Sequence, residues 1–141
     1  MGYTHYFRGN ISKRTFAKMT KDIKKIENSF MLFDAHGEKR GVDFGDTAIR
    51  FNGNASKGEM HETFCLELGA NQDFCKTNRK PYDAAVVIAL LCMKSHLKSF
   101  YVKSDGDFED VEWQYGLGLF HQLFPDRDIE FEFIDGVLNV Q

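Results

Sequence analysis

Residues 129–140 read Ile129-Glu130-Phe131-Glu132-Phe133-Ile134-Asp135-Gly136-Val137-Leu138-Asn139-Val140. Ile129, Phe131 and Phe133 alternate with Glu130 and Glu132, the period of a strand with one face turned inward. Asp135-Gly136 then precedes a second short run, Val137–Val140. A two-residue Asp-Gly between alternating runs is the signature of a type I′ hairpin. An antiparallel pair therefore closes the chain.

Upstream, Pro125 ends a helical pattern running from Phe108 to about Phe124, fed by the turn Ser104-Asp105-Gly106-Asp107. Phe108, Val111, Tyr115 and Leu119 form one stripe; Trp113, Leu117, Phe120 and Phe124 form another. Gly116 and Gly118 cost about 1 kcal/mol each against Ala in a helix interior, so they point to a kink or a close backbone approach. Asp107 fits an N-cap, with acids in the first turn. Ser99–Lys103 reads as a strand. Pro81 suits the start of a helix, and Ala84–Met93 is apolar nearly all round, which marks a central buried helix.

His61–Leu68 alternates as a strand, and Thr47–Phe51 as a shorter one, with a small, polar loop between them that opens at Phe51-Asn52-Gly53. Asn71–Lys80 reads as a polar, basic loop. At the start, Gly2–Gly9 alternates, with Tyr3, His5 and Phe7 on one face and Thr4, Tyr6 and Arg8 on the other. Ser12 then caps a helix whose stripe is Phe16, Met19, Ile23, Ile26 and Phe30. The order β-α-β-β-α-β-α-β-β predicts an α+β fold: a mostly antiparallel sheet, about three helices packed mainly on one face, and a C-terminal hairpin.

The chain has 141 residues, 43% of them hydrophobic and 14% aromatic. That length and composition imply a single domain, 1–141, with a real core, and exclude a disordered chain. The longest apolar run is about half of the ~20 residues a membrane helix needs, and Met1–Arg8 has no signal-peptide core. Cys65, Cys75 and Cys92 form no CxxC pair, which fits reduced thiols in a cytosol. The five histidines lack metal-ligand spacing, so neither a metal nor a cofactor is expected.

The net charge of −3 gives no warrant for direct binding of DNA or RNA. The charge is uneven, however. Arg8, Lys13, Arg14, Lys18, Lys21, Lys24 and Lys25 stand against Asp22 alone, and ten acids between Asp105 and Asp135 stand against Arg127 alone. Such asymmetry steers a charged partner to one side, or reflects two solvated faces that attract each other.

The segment Phe74-Cys75-Lys76-Thr77-Asn78-Arg79-Lys80-Pro81-Tyr82-Asp83 carries the most chemistry. Lys76, Arg79 and Lys80, with the Thr77 hydroxyl, precede a helix start whose first N–H groups lack helical partners, an arrangement suited to phosphate or carboxylate. Tyr82 would add a stacking face; Asn52 and His61 bracket a loop able to fold over the site, with His61 as an acid–base group. The plain alternative is a solvated loop. Cys75 with His61 as base sketches a small hydrolase. An EF-hand at Asp105 fails, because position twelve is Gly116.

Met1-Gly2-Tyr3-Thr4-His5-Tyr6, Phe51-Asn52-Gly53, His61-Glu62-Thr63-Phe64, Phe74-Cys75-Lys76-Thr77 with Arg79-Lys80-Pro81-Tyr82-Asp83, and Ser104-Asp105-Gly106-Asp107 together resemble a family of small uncharacterised proteins encoded by bacteriophages and prophages. The resemblance runs to about Phe124, and the acidic hairpin falls outside it. It implies a setting, the host bacterial cytoplasm, and no mechanism. The expectation is a non-enzymatic binding protein that holds a phosphorylated small molecule, a nucleotide-type signal, to counter host defence. The rival is an acidic inhibitor that blocks a host nucleic-acid-binding defence protein. A homodimer through Gly116, Gly118 or the hairpin edge is a further expectation.

Overall fold

The computed structural model describes residues 3–141; Gly2, at the head of the first alternating run, lies outside them. The elements in chain order are β1 (Thr4–Ile11), α1 (Lys13–Glu27), β2 (Asp43–Phe44), β3 (Ala48–Phe51), β4 (Phe64–Glu67), β5 (Gly69–Lys76), α2 (Asp83–His96), β6 (Tyr101–Ser104), α3 (Val111–Leu123), β7 (Phe131–Ile134) and β8 (Val137–Val140). They build an α+β fold with two antiparallel sheets, one of five strands in the order β5-β1-β6-β8-β7 and one of three, β2-β3-β4.

The period of two in β1 sorts its side chains as expected from His5 to Arg8, while Thr4, expected on the outer face, is buried. His5, Phe7 and Ile11 are buried, while Tyr6 and Arg8 are exposed. Ser12 then ends the strand and caps α1, its Oγ accepting from the Thr15 N–H at 3.2 Å, which satisfies one orphan donor of the first turn. Phe16, Met19, Ile23 and Ile26 are the buried stripe of α1; Phe30 lies past its end and packs on the core from the following loop.

The core centres on α2, in which every residue from Ala85 to Lys94 is buried. α1 and α3 both pack against it. Gly116 explains how closely α3 approaches: a Cβ there would stand 2.5 Å from Cγ1 of Val87. Gly118 has no neighbour within 4 Å of its would-be Cβ. At the chain's end the hairpin forms as read. Ile134 pairs with Val137, and Asp135 and Gly136 take φ of 52° and 80°, the left-handed pair that a type I′ turn demands.

Four segments depart from expectation. The strand over 61–68 shrinks to β4, because the Asn52 side chain holds the backbone of His61, donating to its carbonyl at 2.9 Å and accepting from its N–H at 3.1 Å. The segment 71–80 is not a loop throughout: its first six residues belong to β5, paired along its whole length with β1. Its polar side chains are those of an edge strand, with only Asn71 and Cys75 buried. Both later helices begin two or three residues late. Pro81 and Tyr82 form a turn ahead of Asp83, and α3 starts after Asp110, whose carboxylate accepts from the Asp107 N–H at 3.0 Å.

Candidate functional site

The fold keeps the residues expected to bind an anion close together, with Glu62 beside His61 donating its N–H to the Lys76 carbonyl at 3.2 Å, but it commits most of their polar groups inside the protein. Thr77 is buried, and its hydroxyl donates to the Asp83 carboxylate. Tyr82 is 2% exposed and donates its hydroxyl to the Glu62 carbonyl; burial pushes its phenol far up, and no face is left for stacking. Asn52 is fully buried as the clamp on His61, and His61 is half-buried. Arg79, with φ of 58°, lays its guanidinium 4.1 Å over the Tyr3 ring and pairs with Glu112 of α3. Lys80 gives its carbonyl to the Asp83 N–H. Of the set, Lys76 and Lys80 keep half-exposed side chains free of ion pairs among the described residues. The first turn of α2 already holds a carboxylate, that of Asp83, at its positive end.

Beneath that turn lies a buried polar chain that the sequence did not reveal. Nε2 of His5 meets Oδ1 of Asp83 at 2.7 Å, and Oγ of Ser104 meets Nδ1 of His5 at 3.0 Å. The order Ser–His–Asp is that of a hydrolytic triad, so the lone pairs must be counted. Trp113 Nε1–H and the Gly106 N–H both donate to Ser104 Oγ, at 3.2 and 3.1 Å. Ser104 must then donate its own hydrogen to Nδ1, and His5 carries its hydrogen on Nε2 toward Asp83. Serine has no lone pair left for attack, and all three residues are buried. The chain is a strut joining β1, α2, β6 and α3. Cys75 is no nucleophile either: burial, then the Glu62 charge, push its thiol far up, and a protonated thiol is inert.

The accessible chemistry is on the other side of the five-stranded sheet. Among the described residues no helix covers the side chains that β5, β1 and β6 point outward. Tyr6 pairs with Phe74 on one side and Lys103 on the other; Arg8 pairs with Gln72 and Tyr101. These side chains, with Asp73 and Asp105, line an open cleft of about 550 Å³, in the size range of small-molecule sites. Tyr6 is 39% and Phe74 54% exposed, with ring centroids 6.3 Å apart. The Arg8 guanidinium lies 4.4 Å over the Tyr101 ring, which holds a flexible cation in place by cation–π attraction. Both acids are turned to the backbone: Asp73 accepts from the Phe74 N–H at 2.8 Å and Asp105 from the Thr4 N–H at 3.2 Å.

Tyr6-x-Arg8 and Tyr101-x-Lys103 were readable as same-face pairs in strands. Their meeting was not, because it depends on β5 and β6 flanking β1. Among the described residues no helix is long and apolar enough to cross a membrane. Compared with protein-family models, with curated proteins and with solved structures, the chain matches none, and the cleft is read from its own geometry.

Proposed function

We propose that the protein binds a nucleotide-type ligand, a flat ring carrying phosphate, in the cleft on the open face of the five-stranded sheet. The observation that carries this reading is the mixture in one place of exposed aromatic faces and cations. Tyr6 and Phe74 offer ring surface for a base, at about 1–3 kcal/mol per stacked ring. Arg8, held over Tyr101, and Lys103 from the neighbouring strand supply the phosphate contacts, a fork and a point charge respectively. Lys76 follows Phe74 by two residues on the same side of β5 and extends the cationic rim. Gln72 presents an amide able both to donate to and to accept from a base edge. A phage protein of this kind sequesters a host nucleotide signal without transforming it, and the two carboxylates at the cleft are held by backbone N–H groups.

Isothermal titration against nucleoside mono-, di- and triphosphates tests the reading. Saturable heat in the micromolar range is expected, weakened about tenfold or more by Tyr6→Ala and by Arg8→Ala. Thermal stability should stay nearly unchanged, since exposed side chains contribute roughly 0–1 kcal/mol. Absence of heat with every nucleotide, or affinities unmoved by both substitutions, overturns it.

A further inference from the structure

α1 carries a row of cations that enter no ion pair among the described residues. Its inward half is Phe16, Met19, Ile23 and Ile26, with Asp22 buried beside them. Its outward half holds Lys13, Arg14, Lys18, Lys21, Lys24 and Lys25, all exposed. Both acids of the helix are used elsewhere. Asp22 is gripped by both guanidinium nitrogens of Arg127 and by His96, and Glu27 accepts from the Val42 N–H at 2.6 Å. Lys24 and Lys25 rest on the rings of Phe44 and Phe124, at 5.3 and 5.2 Å. Among the described residues none of these cations enters an ion pair.

Arg14, Lys18, Lys21 and Lys25 are separated by four, three and four residues, so they stand in one line along the helix. At 1.5 Å per residue the line is about 16 Å long. Such a line matches an extended, regular anion in shape and charge. A membrane surface would need the apolar half of the helix, and that half fills the core. A protein partner would need a buried aromatic or aliphatic anchor, and within α1 the exposed apolar residue is Ala17. A phosphodiester backbone needs neither.

We propose that the outward ridge of α1 binds the phosphate backbone of nucleic acid without regard to sequence. The net charge of −3 does not oppose this, because screening confines each patch to about 8–10 Å in physiological salt. Asp126 and Asp128 lie just beyond Phe124, on which Lys25 rests, and Asp43 is next to Phe44, on which Lys24 rests; among the described residues none of these acids pairs with a cation of the ridge. The ridge shares no residue with the sheet cleft, and the proposal does not rest on the nucleotide reading.

The test is fluorescence anisotropy of a labelled duplex of about 20 base pairs with the full chain, between about 50 and 200 mM salt, the range over which backbone contacts weaken measurably. Four phosphate contacts predict a slope of log K against log salt near −3.6, at about −0.9 per contact. Lys18→Gln with Lys21→Gln should bring it to about −1.8 and weaken binding at low salt at least tenfold, while Lys57→Gln, a control outside the ridge, leaves both unchanged. Duplexes of unrelated sequence should bind alike. No binding at the lowest salt, a slope unmoved by the double substitution, or equal affinity for polyglutamate or anionic vesicles overturns the proposal. Tyr6→Ala and Arg8→Ala should leave duplex binding intact; loss of duplex binding in those variants, with the ridge variant unaffected, assigns the polymer to the sheet and equally overturns it.

Discussion

Ser104 shows how much one small side chain can decide. Its single oxygen takes two N–H bonds, from Trp113 and Gly106, and gives its hydrogen to His5. Ser104→Ala would therefore leave three buried polar groups without a partner at once. An unsatisfied buried group costs about 1–3 kcal/mol, so the variant should lose at least about 2 kcal/mol in urea denaturation. A loss under half of that would mean the chain relaxes onto other partners and is no strut. The same accounting separates Thr77 and Tyr82 from the open-face residues. Their hydroxyls are already committed inside the protein, so no ligand is available to them without unfolding the α2 turn.

At the scale of elements, the two glycines of α3 are predicted to respond with opposite signs. Gly116 faces α2, where an added Cβ would stand 2.5 Å from Val87. Gly116→Ala should cost about 1–3 kcal/mol by overpacking two helices that cannot separate without opening the core. Gly118 faces open space, and Gly118→Ala should stabilise by about 0.5–1 kcal/mol through helix propensity and a less flexible unfolded chain. Thermal melts of the two variants check both signs together. A pair of equal shifts would show that α3 does not pack on α2 through Gly116. β5 makes the complementary point for strands. Gln72, Asp73 and Phe74 in succession look like loop chemistry, yet an edge strand with one open face tolerates all three.

For the whole molecule, Asp22 is the tie between three separate segments: α1, which carries it; His96 at the end of α2; and Arg127 beyond α3. Burial alone would raise its carboxyl, but the hydrogen bonds from His96 and Arg127 outweigh this and hold it below the ordinary aspartate range. A depressed carboxyl stabilises the fold fully above its unfolded value of about 3.9 and loses that contribution as pH falls through its folded value. Melting temperatures of wild type and Asp22→Asn should therefore differ at pH 7 and converge as the pH drops below about 4. A difference that stays constant to the lowest pH would show that Asp22 contributes packing and no charge.

What the sequence by itself determined is whatever depends on neighbours along the chain. The Ser12 cap, the apolar stripe of α1, the all-round burial of α2 and the Asp135-Gly136 turn follow from periods of 3.6 and 2 and from the conformational tolerance of single residues. With them came the α+β class. Tertiary structure alone decided the sites. Lys76, Thr77, Arg79 and Tyr82 lie close together in sequence, yet they were divided between strand, core and ion pair. That division turns on β5 pairing with β1 and on Glu112 arriving from α3. Tyr6, Phe74 and Lys103, distant in sequence, became neighbours through strand register. Register and packing are long-range choices, set by which face each segment must bury against the others, and no local pattern encodes them.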